Sequence, residues 1–482
     1  MSQSPKFSSQ LSPAPEGLRV DLLDRYGLFI NGRFVEPASG EWFETISPKD
    51  QQPLALIAQA GIKDVNKAVQ AARLAQPKWA ALPSSERAKY IFRLARLLQE
   101  RMREFAVIEA LEGGKIIREA RDFDLPQAVQ HFFYHAGWAD KLQYAIPGVA
   151  NPQPLGVVGA IIPWNFPTLM LAWKIAPALA TGNTIVLKPA ETTSLAALMF
   201  CEIVQAAGLP KGVINIITGD GQTGAALVNS KVDKLSFTGS TSVGKMIAAQ
   251  AGDRKITLEL GGKSANIVFA DAALNQVVDN IVDSIFANRG HTCCAGSRLL
   301  VQEPVHDRLM RLLERRMQTL RIGDPLDKNT DLGPINSLQQ LKVIQDLTAS
   351  GIKEGAEAFT TRTSLPRKGF WFAPTVLINV TPDMRVAQEE IFGPVLSVIT
   401  FRTPEEAIQL ANNTPYGLAA GVWTNKGSKA LKVASQLKAG VIWQNTYNRF
   451  DPTAAFGGFK ESGWGREGGL AGLRAYLKEP KQ

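Results

Sequence analysis

"LGVVGAIIP", residues 155–163, is a nearly continuous apolar run with the length and composition of a strand buried on both faces of a sheet. Three runs of the same kind follow it: "NTIVLKP" (183–189), "GVINIIT" (212–218) and "KLSFTG" (234–239). Helical patterns of apolar residues lie between these runs, so that strands alternate with helices. The alternation predicts an α/β fold with a parallel sheet that is covered by helices on both faces.

The same alternation returns in the C-terminal half of the chain and predicts a second α/β domain. Its elements are "SRLLVQEPV" (297–305), a helix over about 306–320, "FAPTVLINV" (372–380), "PVLSVITF" (394–401) and a helix from "TPEEA" (403–407). Ahead of the first block, the pattern predicts one long amphipathic helix over 84–112, with "SSER" as its N-terminal cap. A length of 482 residues also favours two or more domains.

Composition excludes several classes of protein. Three cysteines are too few for a disulfide framework and indicate a reducing, cytoplasmic setting. No apolar run is long enough to span a membrane, and the Ser/Pro-rich start, 1–26, is typical of a disordered tail and not of a secretion signal. The net charge of +9 comes from dispersed Lys and Arg among 44 acidic residues, which does not favour a nucleic-acid partner.

Two glycine-rich turns are candidates for binding a nucleotide. "GDGQTG" (219–224) matches G-x-G-x-x-G after a strand, but the acidic residue expected about 20 positions later is missing, so a ligand-free tight turn is equally consistent. "GSTSVG" (239–244) places Gly and Ser at the start of a helix, where free N–H groups favour an anion such as a pyrophosphate. Two such turns in succession favour a nucleotide site.

Polar side chains in apolar or rigid surroundings provide candidates for catalysis. Glu259 lies in "TLELGGKSANIVF" (257–269), where burial would raise its pKa as a general base requires; a buried Glu paired with a Lys or an amide is the alternative. Asn165 lies in "PWNFP" (163–167), where prolines and aromatic residues would hold its amide for an oxyanion, or where it forms a plain turn.

Two adjacent cysteines occur in "NRGHTCCAGSR" (288–298), among glycines and small residues that allow a substrate to approach. A thiolate there is a candidate nucleophile, although a loop cysteine is more often inert. His291 is near, but no C-x-x-C or second Cys/His cluster completes a ligand set, so no metal site is predicted.

Taken together, seven stretches in this order resemble the aldehyde dehydrogenase superfamily. They are "PWNFP", "IVLKPAETT", "FTGSTSVG", "LELGGKS", "GHTCCAGSR", "EEIFGPV" and "FGGFKESGWGRE". The resemblance covers nearly the whole chain, and it implies a parallel-sheet cofactor-binding domain (27–138 and 155–261), a catalytic α/β domain (262–469) and an oligomerisation segment (139–154 and 470–482). Two further stretches, "RDFDLPQAVQHFFYHAG" and "NRFDP", resemble the two-module family 16 branch.

The resemblance implies NAD-dependent oxidation of an aldehyde through a cysteine thioester that water hydrolyses. Aligning the family pattern Gly-Gln-x-Cys-x-Ala on Ala295 makes Cys293 the nucleophile, and His291 then replaces the pattern's Gln. Asn165 and the Cys293 backbone N–H would hold the oxyanion, and Glu259 would activate the water. Two alternatives stay open, a CoA-acylating relative and a catalytically silent scaffold, and the intact catalytic residues argue against both.

Positions around the cofactor and substrate are also implied by the resemblance. Lys188 and Glu191 match the contacts of the adenosine ribose, where a carboxylate favours NAD over NADP. The other cofactor positions are Trp164, Gly219, Ser240 at the pyrophosphate, Glu390 at the nicotinamide ribose, and Phe392 beside the ring. The substrate positions are Phe166, Trp173, Phe456 and Arg449, of which Arg449 favours an anionic or polar aldehyde. A homo-oligomer, most simply a dimer, is expected, although the strand that relatives add to a neighbour's sheet is missing after "LRAYLKEPKQ".

Overall fold

The computed structural model describes residues 20–479 of the 482. Residues 1–19 of the predicted disordered tail therefore lie outside the described residues. The rest of that predicted tail is partly ordered: Arg25–Tyr26 form a strand, and Tyr26 is buried. The boundary predicted at residue 26 is therefore too late in the chain.

The described residues form two large sheets, one small sheet and the helices that cover them. The strands are β1 (Arg25–Tyr26), β2 (Leu28–Ile30), β3 (Arg33–Val35), β4 (Trp42–Ile46), β5 (Pro53–Ala58), β6 (Val157–Ile161), β7 (Thr184–Lys188), β8 (Ile214–Ile216), β9 (Lys234–Thr238), β10 (Lys255–Glu259), β11 (Ala265–Val268), β12 (Arg298–Gln302), β13 (Glu357–Thr360), β14 (Thr375–Ile378), β15 (Val395–Phe401), β16 (Ala419–Trp423), β17 (Val441–Gln444) and β18 (Gly463–Trp464). The α-helices are α1 (Ile62–Ala81), α2 (Ser84–Glu100), α3 (Met102–Gly113), α4 (Ile117–Glu119), α5 (Leu125–Trp138), α6 (Pro167–Ala180), α7 (Leu195–Ala206), α8 (Gly221–Val228), α9 (Thr241–Gln250), α10 (Leu274–Phe286), α11 (His306–Met317), α12 (Leu338–Lys353), α13 (Arg385–Gln388), α14 (Pro404–Asn412), α15 (Gly427–Ala434) and α16 (Gly469–Arg474).

The first large sheet has the strand order β18-β10-β9-β6-β7-β8-β2-β3. Strands β10, β9, β6, β7 and β8 are parallel, and antiparallel strands border them on both sides. The sequence predicted this parallel core correctly, because a strand covered on both faces must be apolar along its whole length. A separate small sheet, β1-β5-β4, was not predicted.

The second large sheet has the order β13-β14-β15-β12-β11-β16-β17 and is parallel except for β13 at its edge. All of its strands lie within 262–469, the predicted catalytic domain. One element of that range belongs elsewhere, because β18 pairs with β10 of the first sheet. The catalytic range therefore contributes a strand to the cofactor-binding sheet, which the predicted boundaries did not include.

The single helix predicted over 84–112 is two helices, α2 and α3, that meet at Arg101. Arg101 has a non-helical backbone (φ −103°, ψ 10°), and its guanidinium bonds Glu104 and Glu202. The predicted "SSER" cap is also wrong, since Pro83 is the residue before the helix and no side chain caps it.

The predicted oligomerisation ranges 139–154 and 470–482 contact each other. Pro154 pairs with Leu477, and the Lys478 N–H donates to the Gln153 carbonyl at 2.8 Å. A short 3-10 helix, Leu142–Tyr144, lies in the first range, and Tyr144 is exposed there. Within residues 20–479, no helix is long and apolar enough to cross a membrane.

Candidate active site

A cavity of about 300 Å³ lies at the carboxyl ends of the first sheet's parallel strands. Residues that follow β6, β9 and β10 line it, together with the cysteine loop and the segments around 390 and 450–456. Ligands of open α/β sheets bind at this edge because the strand ends and the helix N-termini converge there. Ten residues predicted from the sequence line this one cavity: Trp164, Asn165, Phe166, Trp173, Ser240, Glu259, Cys293, Glu390, Phe392 and Phe456.

Both cysteines of the loop line this cavity, but they differ in exposure. Cys293 is partly exposed, whereas Cys294 is buried and its carbonyl accepts a hydrogen bond from the Tyr447 hydroxyl at 2.9 Å. A hydrogen bond with Cys294 and the burial of the thiol raise the pKa of Cys293 well above its usual value. The resting sulfur is therefore a protonated thiol, and a base has to take its proton before it can act as a nucleophile.

The Asn165 amide is held by the same loop. Its Nδ2 donates to the His291 carbonyl at 2.8 Å, and the Asn288 amide donates to the Asn165 carbonyl at 2.9 Å. A carboxamide nitrogen has two N–H groups, so one remains available for another acceptor. Asn165 is buried and lines the cavity. The hydrogen bond to the His291 carbonyl fixes one N–H of its amide and so sets the direction of the other N–H.

Glu259, the last residue of β10, is buried with neither carboxylate oxygen in a hydrogen bond. Burial raises the pKa of Glu259 well above its usual value; the Glu467 carboxylate raises it further, whereas the Lys174 ammonium lowers it. The alternative reading, in which Glu259 is held in a buried ion pair, is not what the structure shows. An unpartnered carboxylate with a raised pKa in a cavity fits a general base.

Behind Glu259 lies a buried ion pair that the sequence did not reveal. Lys174 of α6 bonds the Glu467 carboxylate, and it also donates to the Thr238 hydroxyl at 2.8 Å. Ser236 donates to the same Glu467 oxygen at 2.9 Å. The one sequence signal was Lys174 itself, a cation in the otherwise apolar "TLMLAWKIAPALA", since such a residue is rarely buried without a partner.

The structure distinguishes the two glycine-rich turns. In "GDGQTG" the Asp220 carboxylate accepts from the N–H groups of Gln222 and Thr223, so this residue of the chain itself caps α8. In "GSTSVG" no side chain caps α9, and Ser240 is exposed at its start beside the cavity. The free N–H groups at the start of α9 fit a pyrophosphate, so the donor set present matches a dinucleotide.

Lys188, Glu191 and Gly219 lie beyond the cavity lining, at the ends of β7 and β8. The buried Lys188 ammonium donates to the Pro189 carbonyl at 2.9 Å and lies 3.8 Å from the exposed Glu191 carboxylate. An exposed carboxylate beside an ammonium suits ribose hydroxyls. Gly219 (φ +147°) packs so closely on Thr223 that a Cβ there would overlap its hydroxyl, which accounts for the glycine without any ligand.

An aromatic cluster around His291 borders one part of the cavity. The His291 ring stacks on Phe392 (centroids 5.7 Å apart) and meets Trp164 edge-on at 4.8 Å, and Arg289 donates to its Nδ1 at 3.2 Å. The imidazole of His291, which replaces the Gln of the family pattern, is therefore packed between aromatic rings. Beside it, burial raises the pKa of Glu390 to about 7, and its Oε1 accepts from the Gly262 N–H at 3.0 Å.

Another part of the cavity has an aromatic wall. The rings of Phe123, Phe450, Phe456 and Trp173 follow one another with centroids 5.5–5.8 Å apart. Phe123 and Phe450 were not predicted as site residues, nor were the lining residues Gln127 and His131. All four lie in the two stretches that resemble the family 16 branch, but that resemblance assigned no role to these positions. The Arg449 side chain is exposed and outside the lining, whereas the next residue, Phe450, lines the cavity, so a role for Arg449 in substrate binding stays a prediction.

No cluster of three or more His, Cys, Asp or Glu side chains within residues 20–479 could hold a metal ion.

Comparison with known proteins identifies the family. The sequence model of the aldehyde dehydrogenase family matches residues 34–480. Human retinal dehydrogenase 2 is 44% identical over 464 residues, which cover 93% of this chain and 90% of that protein. The putative aldehyde dehydrogenase DhaS of Bacillus subtilis is also 44% identical, with 94% of each chain covered.

Solved structures agree with this assignment. The indole-3-acetaldehyde dehydrogenase of P. syringae, in complex with NAD+ and IAA, has a TM-score of 0.91 and 40% identity, with 96% of each chain covered. The betaine aldehyde dehydrogenase of Staphylococcus aureus, in complex with NAD+, has a TM-score of 0.90 and 37% identity, with 94% of this chain and 93% of that one covered. This chain belongs to the aldehyde dehydrogenase family and is an oxidoreductase that acts on aldehydes.

Proposed function

We propose that the protein oxidises neutral, largely apolar aldehydes to carboxylic acids with NAD, through a thioester on Cys293 that water hydrolyses. The observation that carries the proposal is the meeting of Cys293, Asn165 and Glu259 in one cavity with an aromatic wall. Each of the three supplies a different part of the chemistry, and no second group of this kind lines the cavity.

The first half of the reaction forms a covalent bond to sulfur. The Cys293 thiol gives up its proton to a water molecule, which carries it to bulk solvent. The sulfur then attacks the carbonyl carbon, so that the carbonyl electron pair moves to oxygen. The free N–H of Asn165, with the Cys293 backbone N–H as a second donor, stabilises this oxyanion. The product is a thiohemiacetal.

NAD, when bound, supplies the acceptor for the hydride that leaves the thiohemiacetal carbon. For this group the chain offers Ser240 and the start of α9 at the pyrophosphate and Lys188 with Glu191 at the adenosine ribose. Glu390 and Phe392 line the cavity and would contact the nicotinamide half of the cofactor. The carboxylate of Glu191 would repel a 2′-phosphate, which favours NAD over NADP.

The second half of the reaction releases the acid. Glu259 takes a proton from water, the resulting hydroxide attacks the thioester carbon, and the C–S bond breaks to return the Cys293 sulfur. The unpartnered carboxylate of Glu259 favours this hydrolytic route over transfer to CoA, which needs no base for water. It also argues against a silent scaffold, since an unpaired buried carboxylate is costly to keep without a use.

The test is the formation of NADH across a panel of aldehydes, with the acid and any CoA ester identified as products. We expect the acid alone, and we expect Cys293→Ser to lose the activity by several orders of magnitude. Cys201→Ser is the matched control, because it alters a buried thiol outside the cavity lining. Equal rates for Cys293→Ser and the parent, or a rate that requires CoA, would contradict the proposal.

A homodimer and a cytoplasmic location remain proposals that rest on the sequence. The contact between 139–154 and the segment after 470 supports a common surface for assembly. Light scattering coupled to size exclusion tests the dimer, and a clean monomer would exclude it.

A further inference from the structure

A glutamine interrupts the aromatic wall at the substrate end of the cavity. Gln127 and His131 are four residues apart on α5, so both project from the same face of the helix, and both line the cavity. Their neighbours there are Phe123, Trp173 and Phe456. Amide and imidazole groups are unusual in such surroundings, because a polar group removed from water is stable only when it is hydrogen-bonded.

One nitrogen of His131 already has a hydrogen-bond partner within the protein. The Trp173 indole N–H donates to Nε2 of His131 at 2.6 Å, so the indole shows only its ring to the cavity. Burial, together with His135, lowers the pKa of His131 well below its usual value, so the imidazole is neutral and carries its proton on Nδ1. That Nδ1 is buried without a partner.

The side-chain oxygen of Gln127 has no hydrogen-bond partner within the protein. Its Oε1 is buried and makes no hydrogen bond. The last torsion of a glutamine side chain is soft, so the carboxamide can turn toward a group bound in the cavity. The carboxamide of Gln127 carries an oxygen acceptor and N–H donors, so this one side chain matches a hydroxyl, which both donates and accepts.

The charges around the cavity determine which hydroxyl-bearing molecules fit. Among the residues that line it, all within 20–479, none is Lys or Arg, whereas two carboxylates, Glu259 and Glu390, are present. An anionic substrate would meet repulsion and no counter-ion. A planar, neutral body is favoured by the aromatic wall, on whose rings it can stack.

We propose that Gln127 is a specificity residue, which selects aldehydes with a planar apolar body and a neutral hydroxyl at the end opposite the carbonyl. The proposal rests on the proposed function, since the carbonyl must lie at Cys293. The substrate class is that of hydroxyaryl aldehydes. Without a hydroxyl, the Gln127 oxygen stays unpaired in the complex, which is the source of the discrimination.

The experiment compares two aldehydes of equal shape in three proteins. The aldehydes are 4-hydroxybenzaldehyde and 4-methylbenzaldehyde, and a second pair, 4-hydroxycinnamaldehyde and 4-methylcinnamaldehyde, covers a longer reach. The proteins are the parent, Gln127→Met and Gln130→Met, the last being a matched control on the exposed side of α5. Acid product is measured by chromatography, because these aldehydes absorb close to NADH.

The readout is the ratio of kcat/KM for the hydroxy and methyl aldehydes, because the intrinsic reactivity of each aldehyde cancels between proteins. We expect this ratio to fall about fivefold to tenfold in Gln127→Met for at least one pair, the effect of one net hydrogen bond, and to stay unchanged in Gln130→Met. A ratio unchanged in Gln127→Met for both pairs overturns the proposal, as does an equal fall in the control.

A binding measurement separates this proposal from the proposed function. In the Cys293→Ser protein, the affinities for the hydroxy and methyl aldehydes are measured by calorimetry, with and without Gln127→Met. If no aldehyde is oxidised by the parent but the hydroxyl preference depends on Gln127, the proposed function fails and the specificity stands. If the parent oxidises aldehydes but the hydroxyl preference does not depend on Gln127 in either kcat/KM or affinity, the proposed function stands and the specificity proposal fails.

Discussion

The buried pair of Lys174 and Glu467 should control both the stability of the protein and the ionisation of its general base. Both side chains are almost fully buried, with relative exposures of 0% and 1%. Lys174→Met leaves the Glu467 carboxylate buried without a counter-ion. Breaking such a pair costs about 3–5 kcal/mol of unfolding free energy, whereas replacing both partners by apolar or neutral groups is often close to neutral.

The two single variants should shift the pKa of Glu259 in opposite directions. In the parent, Glu467 raises this pKa and Lys174 lowers it. Lys174→Met removes the lowering charge, so the pKa of Glu259 rises, and Glu467→Gln removes the raising charge, so it falls. Glu259 acts as a base only when deprotonated. The hydrolysis rate therefore increases as pH rises through the pKa of Glu259. We expect the midpoint of this increase to move to higher pH in Lys174→Met and to lower pH in Glu467→Gln.

Two assays check this reasoning. Guanidinium unfolding compares the parent, both single variants and the double variant, and we expect the double variant to recover most of the stability that Lys174→Met loses. The pH profile of thioester hydrolysis is then measured after a burst of NADH. The reasoning would be refuted if the midpoint of the pH dependence of hydrolysis moved in the same direction in both single variants. It would also be refuted by a Lys174→Met protein as stable as the parent.

Three further predictions concern the catalytic, cofactor and substrate sides. Glu259→Gln should give an NADH burst stoichiometric with enzyme and then a slow steady state, because the thioester forms but water is not activated; a lost burst in rapid-mixing absorbance would contradict this. Glu191→Gln should raise kcat/KM with NADP relative to NAD, since the 2′-phosphate no longer meets a carboxylate; an unchanged cofactor ratio would count against that contact. Arg449→Ala should leave kcat/KM for hexanal and for succinic semialdehyde within about twofold of the parent, with hexanal preferred in both proteins, because this side chain is exposed outside the cavity. A selective loss with the anionic aldehyde would restore a role for Arg449.

The parallel strands could be predicted because the cause of their pattern is local. Strands β6, β7 and β9 fall inside the apolar runs that mark them, since burial on both faces requires apolar residues at every position. The break between α2 and α3 could not be predicted in this way. No Gly or Pro marks Arg101, and its guanidinium is held by Glu202, which lies 101 positions away in the chain.

The sequence by itself determined the reactive groups and their order. The motifs around Asn165, Glu259 and Cys293 resemble those of the aldehyde dehydrogenase superfamily, and they predicted an oxyanion donor, a base and a nucleophile in that order. Periodicity likewise determined the two α/β units, since hydrophobic burial follows the repeat of each element.

Only the tertiary structure decided which side chains meet. Lys174 and Glu467 are 293 positions apart, and their pairing depends on how α6 packs against the segment after β18. Arg449 and Phe450 are adjacent in sequence, yet only the second lines the cavity. The direction of a loop side chain and the approach of distant segments depend on packing across the whole chain, which no local pattern encodes.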